Sequence, residues 1–106
     1  MFARNVSVHL KPSSVAEFTR VVDEKIIPVL RKQKGFQDEI AFVTANGTEA
    51  VSITLWDQKE DAAAYNRGAY PSVLKNLANV VDGTPHVESF EVSNSTFHKI
   101  AAHAAA

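Results

Sequence analysis

The histidines and carboxylates are the residues that metal or acid–base chemistry would use. The four histidines are His9, His86, His98 and His103, and no two lie three or four residues apart on a predicted helix. A metal site needs three or four converging ligands. The carboxylates are scattered, without a pair spaced for general acid–base work (Glu39, Glu49, Asp57, Glu88, Glu91). There is no cysteine to supply a thiolate. We therefore predict no metal site.

A phenol and a guanidinium lie two residues apart at Tyr65 and Arg67. A tyrosine can hydrogen-bond to a bound molecule or remove a proton from it, but its ordinary pKa of about 10 makes it a poor base at neutral pH unless its surroundings lower that pKa. Tyr65 would otherwise fill the gap under Pro71, and Arg67 would be a solvated helix-end arginine. Trp56 has the same two interpretations, as a packing anchor or a site residue.

Composition favours one small globular domain without a charged partner. The chain has 106 residues, 45% of them apolar and 22% charged, with a formal net charge of −1. A single core suffices at this size. The balanced charge predicts no nucleic-acid or membrane partner, and no apolar run suits a signal peptide or a membrane span. A cytoplasmic protein is the expectation.

The chain pattern alternates strands with helices. Val6, Val8 and Leu10 alternate with polar residues and predict a strand that ends before Pro12. A capping box at residues 14–17 then opens a helix that Pro28 should kink or divide and that should end at Gly35. The apolar stripe of this helix consists of Val15, Phe18, Val22, Ile26 and Val29.

Two further strands, 36–43 and 49–56, are joined through Asn46-Gly47, a strong hairpin signal. Alanine-rich residues 57–65 predict a helix that Gly68 ends, and a second helix starts at Tyr70-Pro71. Residues 82–85 predict a turn before a last strand from about 86 to 92, which could extend to 100.

This order predicts an α+β fold, a ferredoxin-like βαββαβ antiparallel sheet with helices on one face. Residues 1–100 form the domain, and the alanine-rich residues 101–106 form a frayed tail. We expect a polar and aromatic mixture on the uncovered face, where a second copy would pack to close a barrel. We expect that face to carry a mixture of the side chains of Asn5, Ser7, His9, Ser52, Thr54 and Trp56.

The sequence resembles the antibiotic biosynthesis monooxygenase family of the dimeric α+β barrel group. The resemblance covers nearly the whole chain and rests on the order and spacing of five short segments: Leu10-Lys11-Pro12, Pro28, Lys34-Gly35-Phe36, Leu55-Trp56 and Phe90-Glu91-Val92. It implies a homodimer with an apolar pocket between sheet and helices in each subunit. Some members oxidise polycyclic aromatic substrates with molecular oxygen and no cofactor, and some degrade haem.

The resemblance also selects site residues. The position nine residues after the strand-ending Trp often carries His, or a second Trp in haem-degrading members, and here it is Tyr65. Tyr65 is thus the catalytic candidate, and the predicted ligand pocket consists of Phe36, Trp56, Tyr65, Tyr70 and Arg67. Haem-degrading relatives need an Asn where this chain has Val6 and an axial His where it has Lys75, so haem degradation is disfavoured.

Two functions remain open, and a third, haem binding without turnover, has the least support. One is a homodimeric, cofactor-free monooxygenase acting on a small aromatic or polyketide-like molecule. The other is a non-catalytic dimeric barrel that binds a small hydrophobic ligand, since one fold hosts many functions.

Overall fold

Four strands and the helices between them follow the predicted order. The computed structural model describes residues 1–97. Its elements are β1 (Phe2–Leu10), α1 (Val15–Val21), a π-helical segment (Val22–Ile26), α2 (Ile27–Arg31), β2 (Phe36–Val43), β3 (Glu49–Trp56), α3 (Lys59–Arg67), α4 (Tyr70–Leu77) and β4 (Val81–Glu91). The strands form one antiparallel sheet in the order β2-β3-β1-β4. The predicted α+β ferredoxin-like fold is confirmed. His98 and His103, the possible extension of the last strand to 100 and the tail 101–106 lie outside the described residues.

The first helical region is divided as Pro28 predicts. Pro28 is the second residue of α2, and the π-helical segment directly precedes α2. Proline has no N–H to donate and crowds the preceding turn, so the wider π turn accommodates it. The helix ends at Arg31, four residues before Gly35. Its last turn is closed by backbone hydrogen bonds that span three residues instead of four, from the Lys32 amide to the Val29 carbonyl and from the Gln33 amide to the Leu30 carbonyl.

The β2–β3 hairpin forms at the predicted position. Gly47 adopts a φ of 72°, and the Thr44 amide donates to the Glu49 carbonyl at 3.0 Å. The Asn46 carboxamide oxygen accepts from the Thr48 hydroxyl at 2.7 Å and braces the turn.

The last strand begins earlier than the sequence predicts. Residues 82–85 belong to β4, which starts at Val81, whereas we expected a turn there. Ser7 pairs with His86 while His9 pairs with Asp82, so the register shifts between these pairs. Gly83, with a φ of 79°, lets the backbone absorb the extra residues as a bulge without reversing direction.

The two faces of β3 are the opposite of our expectation. Ala50, Thr54 and Trp56 are 1%, 5% and 0% exposed and point toward the helices. The aliphatic side chains of β3, Val51, Ile53 and Leu55, therefore lie on the uncovered face. The prediction that Ser52, Thr54 and Trp56 form the uncovered face is wrong, because register with β1 puts them in phase with the buried Val8 and Leu10.

The core lies between the covered sheet face and the helices. The helical side consists mainly of Phe18, Val21, Val22, Ile26, Leu30, Val73 and Leu77. These residues include the buried members of the predicted stripe on the first helical region. Within residues 1–97, no helix is both long and apolar enough to cross a membrane.

Candidate functional site

An internal cavity of about 50 Å³ lies between the sheet and the helices. Its helical wall is mostly apolar and contains Phe18, Val22, Ile26, Leu30, Val73 and Leu77, together with the two phenols Tyr65 and Tyr70. Its sheet wall includes apolar side chains and also polar ones, namely Arg4, Glu39, Ser52 and Thr54. The charged groups thus lie on the sheet side, facing a largely hydrocarbon surface.

Strand register places three of these polar residues in one row. Thr54 of β3 lies directly opposite Arg4 of β1 and opposite Glu39 of β2. Directly opposed residues of antiparallel strands have Cβ atoms about 4.5–5.5 Å apart and share a face. Arg4 and Glu39 therefore flank Thr54 on the cavity side of the sheet.

Arg4 is a buried cation without a carboxylate partner in the described chain. It is 4% exposed, and its Nη2 donates to the Asn66 Oδ1 at 2.8 Å. No ion pair joins Arg4 to an acidic group of residues 1–97. Its guanidinium lies 4.0 Å from the Tyr70 ring centroid and 5.4 Å from that of Tyr65. Such stacking contributes about 0.5–2 kcal/mol, whereas burying an ion costs several kcal/mol, so the stacking alone does not offset the burial.

An aromatic stack runs from the cavity into the core. Ring centroids are 5.9 Å apart for Tyr70 and Tyr65, 5.1 Å for Tyr65 and Trp56, and 5.5 Å for Trp56 and Phe36. The Trp56 indole N–H donates to Thr54 Oγ1 at 2.9 Å, which fixes the indole and the threonine together. The Tyr70 hydroxyl is buried and has no hydrogen-bond partner in the described chain. A polar group left in that state is costly unless something binds it.

Tyr65 keeps its proton in this setting. Burial raises the pKa of Tyr65 to about 12, and the nearby Arg4 charge lowers that pKa only in part. At neutral pH the phenol is therefore a hydrogen-bond donor, and it is unsuited to removing a proton.

Glu39 is the carboxylate at the edge of the cavity. Ser52 Oγ donates to its Oε2 at 2.9 Å. Partial burial raises the pKa of Glu39, the Ser52 hydrogen bond lowers it, and the charge of Asp23 raises it further. A carboxylate with a raised pKa is a stronger base than an ordinary one.

The structure brings together only part of the predicted site. Tyr65 and Tyr70 line the cavity, whereas Trp56 and Phe36 stack behind Tyr65. Arg67 is exposed at the end of α3 and is not among the described residues that line the cavity. Of the two positions that disfavour haem degradation, Val6 lines the cavity and Lys75 is exposed.

Arg4 and Glu39 were not selected from the sequence. Arg4 has the same phase as Val6, Val8 and Leu10, so a charged residue on the buried side of β1 was a usable signal. The alternation of residues along β2 did not indicate which sheet face Glu39 lies on, because the β2–β3 register shifts between Phe36 and Asp38.

The histidines of the described chain lie apart from the cavity. Both are exposed. His9 Nδ1 lies 3.5 Å from Glu49 Oε1, and His86 Nε2 lies 3.1 Å from Glu88 Oε1. Residues 1–97 contain no cluster of three or more His, Asp or Glu side chains that could hold a metal ion.

No family model matches the sequence, and no curated protein gives a significant match. Solved structures do match over nearly the whole chain. A Bordetella bronchiseptica protein assigned as an antibiotic biosynthesis monooxygenase is 11% identical, with a TM-score of 0.76 over 88% of this chain and 97% of that one. The ActVA-Orf6 monooxygenase of Streptomyces coelicolor, in complex with Nanaomycin D, is 17% identical, with a TM-score of 0.74 over 91% and 90%.

SnoaB of Streptomyces nogalater, a cofactor-independent oxygenase, is 14% identical, with a TM-score of 0.72 over 90% of this chain and 95% of that one. At such identities the likeness establishes a shared fold and leaves the reaction open. The chain therefore has the same fold as these three proteins.

Proposed function

We propose that this chain binds a small aromatic molecule in the cavity and oxidises it with molecular oxygen, without a metal or an organic cofactor. The observation that carries the proposal is the composition of the cavity, an apolar helical wall facing a row of polar groups. Ligand sites typically combine a mostly apolar lining with a few polar groups that fix orientation. Two proteins of the same fold are described as a monooxygenase in complex with Nanaomycin D and as a cofactor-independent oxygenase.

The chemistry requires an electron-rich phenol that loses its proton inside the cavity. Its carbanion-like anion passes an electron to oxygen, and the resulting radicals combine at a ring carbon. The hydroperoxide formed at that carbon loses the ring C–H proton as its O–O bond breaks, so one oxygen atom stays as a quinone carbonyl and the other leaves as water. The substrate supplies every electron that reduces the oxygen molecule. In this scheme Glu39 takes the phenol proton and the Tyr65 hydroxyl donates to the substrate oxygen.

The small cavity opposes a polycyclic substrate, which supports a second candidate, a barrel that binds a smaller hydrophobic ligand without chemistry. An apolar cavity of about 150 Å³ is known to take benzene. The cavity here, about 50 Å³, holds a few water molecules, so even one ring enters only if lining side chains move. A polycyclic substrate demands a larger opening.

The two candidates differ in oxygen consumption. We expect 1-naphthol to quench the fluorescence of the single tryptophan, Trp56, which contacts Tyr65, and to support oxygen uptake. Tyr65→Phe should melt within a few degrees of the wild type and bind about 2- to 10-fold more weakly, because it loses one hydroxyl donor. Saturable binding without oxygen uptake supports the non-catalytic barrel, and absence of saturable binding refutes both.

We also propose that the protein is a homodimer whose subunits meet through the uncovered sheet face. That face exposes apolar side chains from both edges of the sheet, with Ile40, Phe42 and Phe90 each about half exposed at 51%, 52% and 49%. Ile53, Leu55 and Phe97 extend the same surface around an open groove of about 530 Å³. An apolar surface of this extent on a small domain is typical of a protein–protein contact. Sedimentation of the wild type as a monomer at micromolar concentration would refute it.

A further inference from the structure

Arg4 has more hydrogen-bonding capacity than the described chain uses. A guanidinium carries five N–H donors, and one side-chain hydrogen bond is formed, to the neutral amide of Asn66. The side chain is 4% exposed and borders the cavity. Glu39, an acidic residue on the same face of the sheet, accepts from Ser52 and makes no ion pair with Arg4. A fixed positive charge therefore faces an apolar cavity without a counterion from residues 1–97.

The surroundings of Arg4 add to this charge. Arg4 also borders an outer cleft of about 250 Å³, whose polar lining includes Lys59, Asn66 and Ser89. Two cations and two neutral hydrogen-bonding side chains thus share one cleft, which favours an approaching anion over a neutral or cationic molecule.

A second unpaired polar group lies beside the guanidinium. The Arg4 guanidinium stacks on the Tyr70 ring, and the Tyr70 hydroxyl is buried without a partner in the described chain. The aromatic rings of Tyr65 and Tyr70 and the apolar helical wall can contact a flat hydrocarbon ring. A ligand with an anionic group attached to an aromatic ring would pair with the Arg4 charge and also contact the apolar lining of the cavity.

We propose that the cavity is selective for aromatic carboxylates, with the carboxylate on Arg4 and the ring against Tyr65 and Tyr70. A carboxylate is the planar, bidentate partner that a guanidinium binds best. This inference rests on the proposed function and specifies the ligand class of the same cavity. It applies whether or not the ligand is then oxidised.

The test compares probes that differ in charge or in ring. Benzoate and 2-naphthoate are each titrated against the neutral amide, benzamide or 2-naphthamide, and against acetate, which has the charge without the ring. Binding is followed by calorimetry and by Trp56 fluorescence at neutral pH. We expect at least one carboxylate to bind about 10-fold or more tightly than its amide and than acetate, as a charge-assisted hydrogen bond requires.

Two variants locate the effect. Arg4→Gln should reduce carboxylate affinity about 10-fold or more and change amide affinity less than about 3-fold. Arg31→Gln, which removes an exposed arginine on α2, should leave both unchanged. The wild-type comparison stands on its own if Arg4→Gln fails to fold.

Each other outcome overturns the inference. Equal binding of carboxylate and amide removes the charge selectivity but leaves the proposed aromatic ligand in place. Acetate binding as tightly as the aromatic acids indicates a simple ion site. If neither the acids nor the amides bind, the inference fails, and the proposed function fails with it only if 1-naphthol also shows no saturable binding.

Discussion

The assignment of the two sheet faces is tested most directly by placing a charge on each face of β3. Ile53 lies on the uncovered face, opposite Asn5 of β1 and Ile40 of β2. Ala50 lies on the covered face, opposite Val8 and Val43, and is 1% exposed. We therefore expect Ile53→Glu to act on association and Ala50→Glu to act on folding.

The magnitudes differ enough to separate the two effects. In a symmetric dimer Ile53→Glu occurs twice in one interface, and each unpaired charge costs at least about 2 kcal/mol to desolvate. The two costs together raise the dissociation constant of the dimer about 1000-fold. The isolated subunit should lose no more than about 1 kcal/mol, because the position is partly solvated there.

Ala50→Glu has no such solvent access. An uncompensated buried charge costs about 3–5 kcal/mol, and overpacking adds about 1–3 kcal/mol. The sum approaches the whole stability of a small domain, about 5–15 kcal/mol, so this variant should be largely unfolded.

Sedimentation velocity and circular dichroism read the two outcomes. Ile53→Glu is expected to be a folded monomer at concentrations where we propose that the wild type is a dimer. If Ala50→Glu folds normally while Ile53→Glu unfolds, the faces are assigned wrongly. If Ile53→Glu dimerises as tightly as the wild type, the interface lies elsewhere.

Three further predictions concern the turn before β2 and the titrating groups. Gly35 and Gly83 have φ values of 78° and 79°, but a Cβ on Gly35 would meet the Asp61 carboxyl group whereas one on Gly83 meets nothing within 4 Å. Urea unfolding should show Gly35→Ala losing about 1–3 kcal/mol more than Gly83→Ala, and equal losses would contradict this. Glu39 has a pKa raised in the folded state, so its favourable contribution is present below its unfolded pKa and lost as pH rises through the folded pKa. Glu39→Gln should therefore have a higher melting temperature than the wild type at pH 7, and this difference should vanish near pH 4. An equal difference in melting temperature at both pH values would show that the ionisation of Glu39 is not its cause. The pKa of Tyr65 is raised to about 12, so the unfolded chain loses this proton first and stability falls between about pH 10 and 12. Tyr65→Phe should lose less stability over that range, and unfolding curves with the same pH slope as the wild type would contradict it.

Local signals predicted most of the elements. Asn46-Gly47 predicted the hairpin because Gly47 accepts the positive φ that the turn requires, and Pro28 divided the first helical region because it lacks an N–H. The start of β4 was missed for a local reason as well. Gly83 and Pro85 suit a turn and a bulge equally, and pairing with β1 selected the bulge.

The amino-acid sequence by itself determined the period of each strand, the order of the elements and hence the fold, because these depend on neighbours along the chain. Tertiary structure alone decided which side of β3 the helices cover. An alternating strand has two faces, and only pairing with β1 set Thr54 and Trp56 in phase with buried Val8. The same pairing placed Arg4 under the helices without a carboxylate partner in residues 1–97, since contacts between distant segments determine a side chain's electrostatic environment.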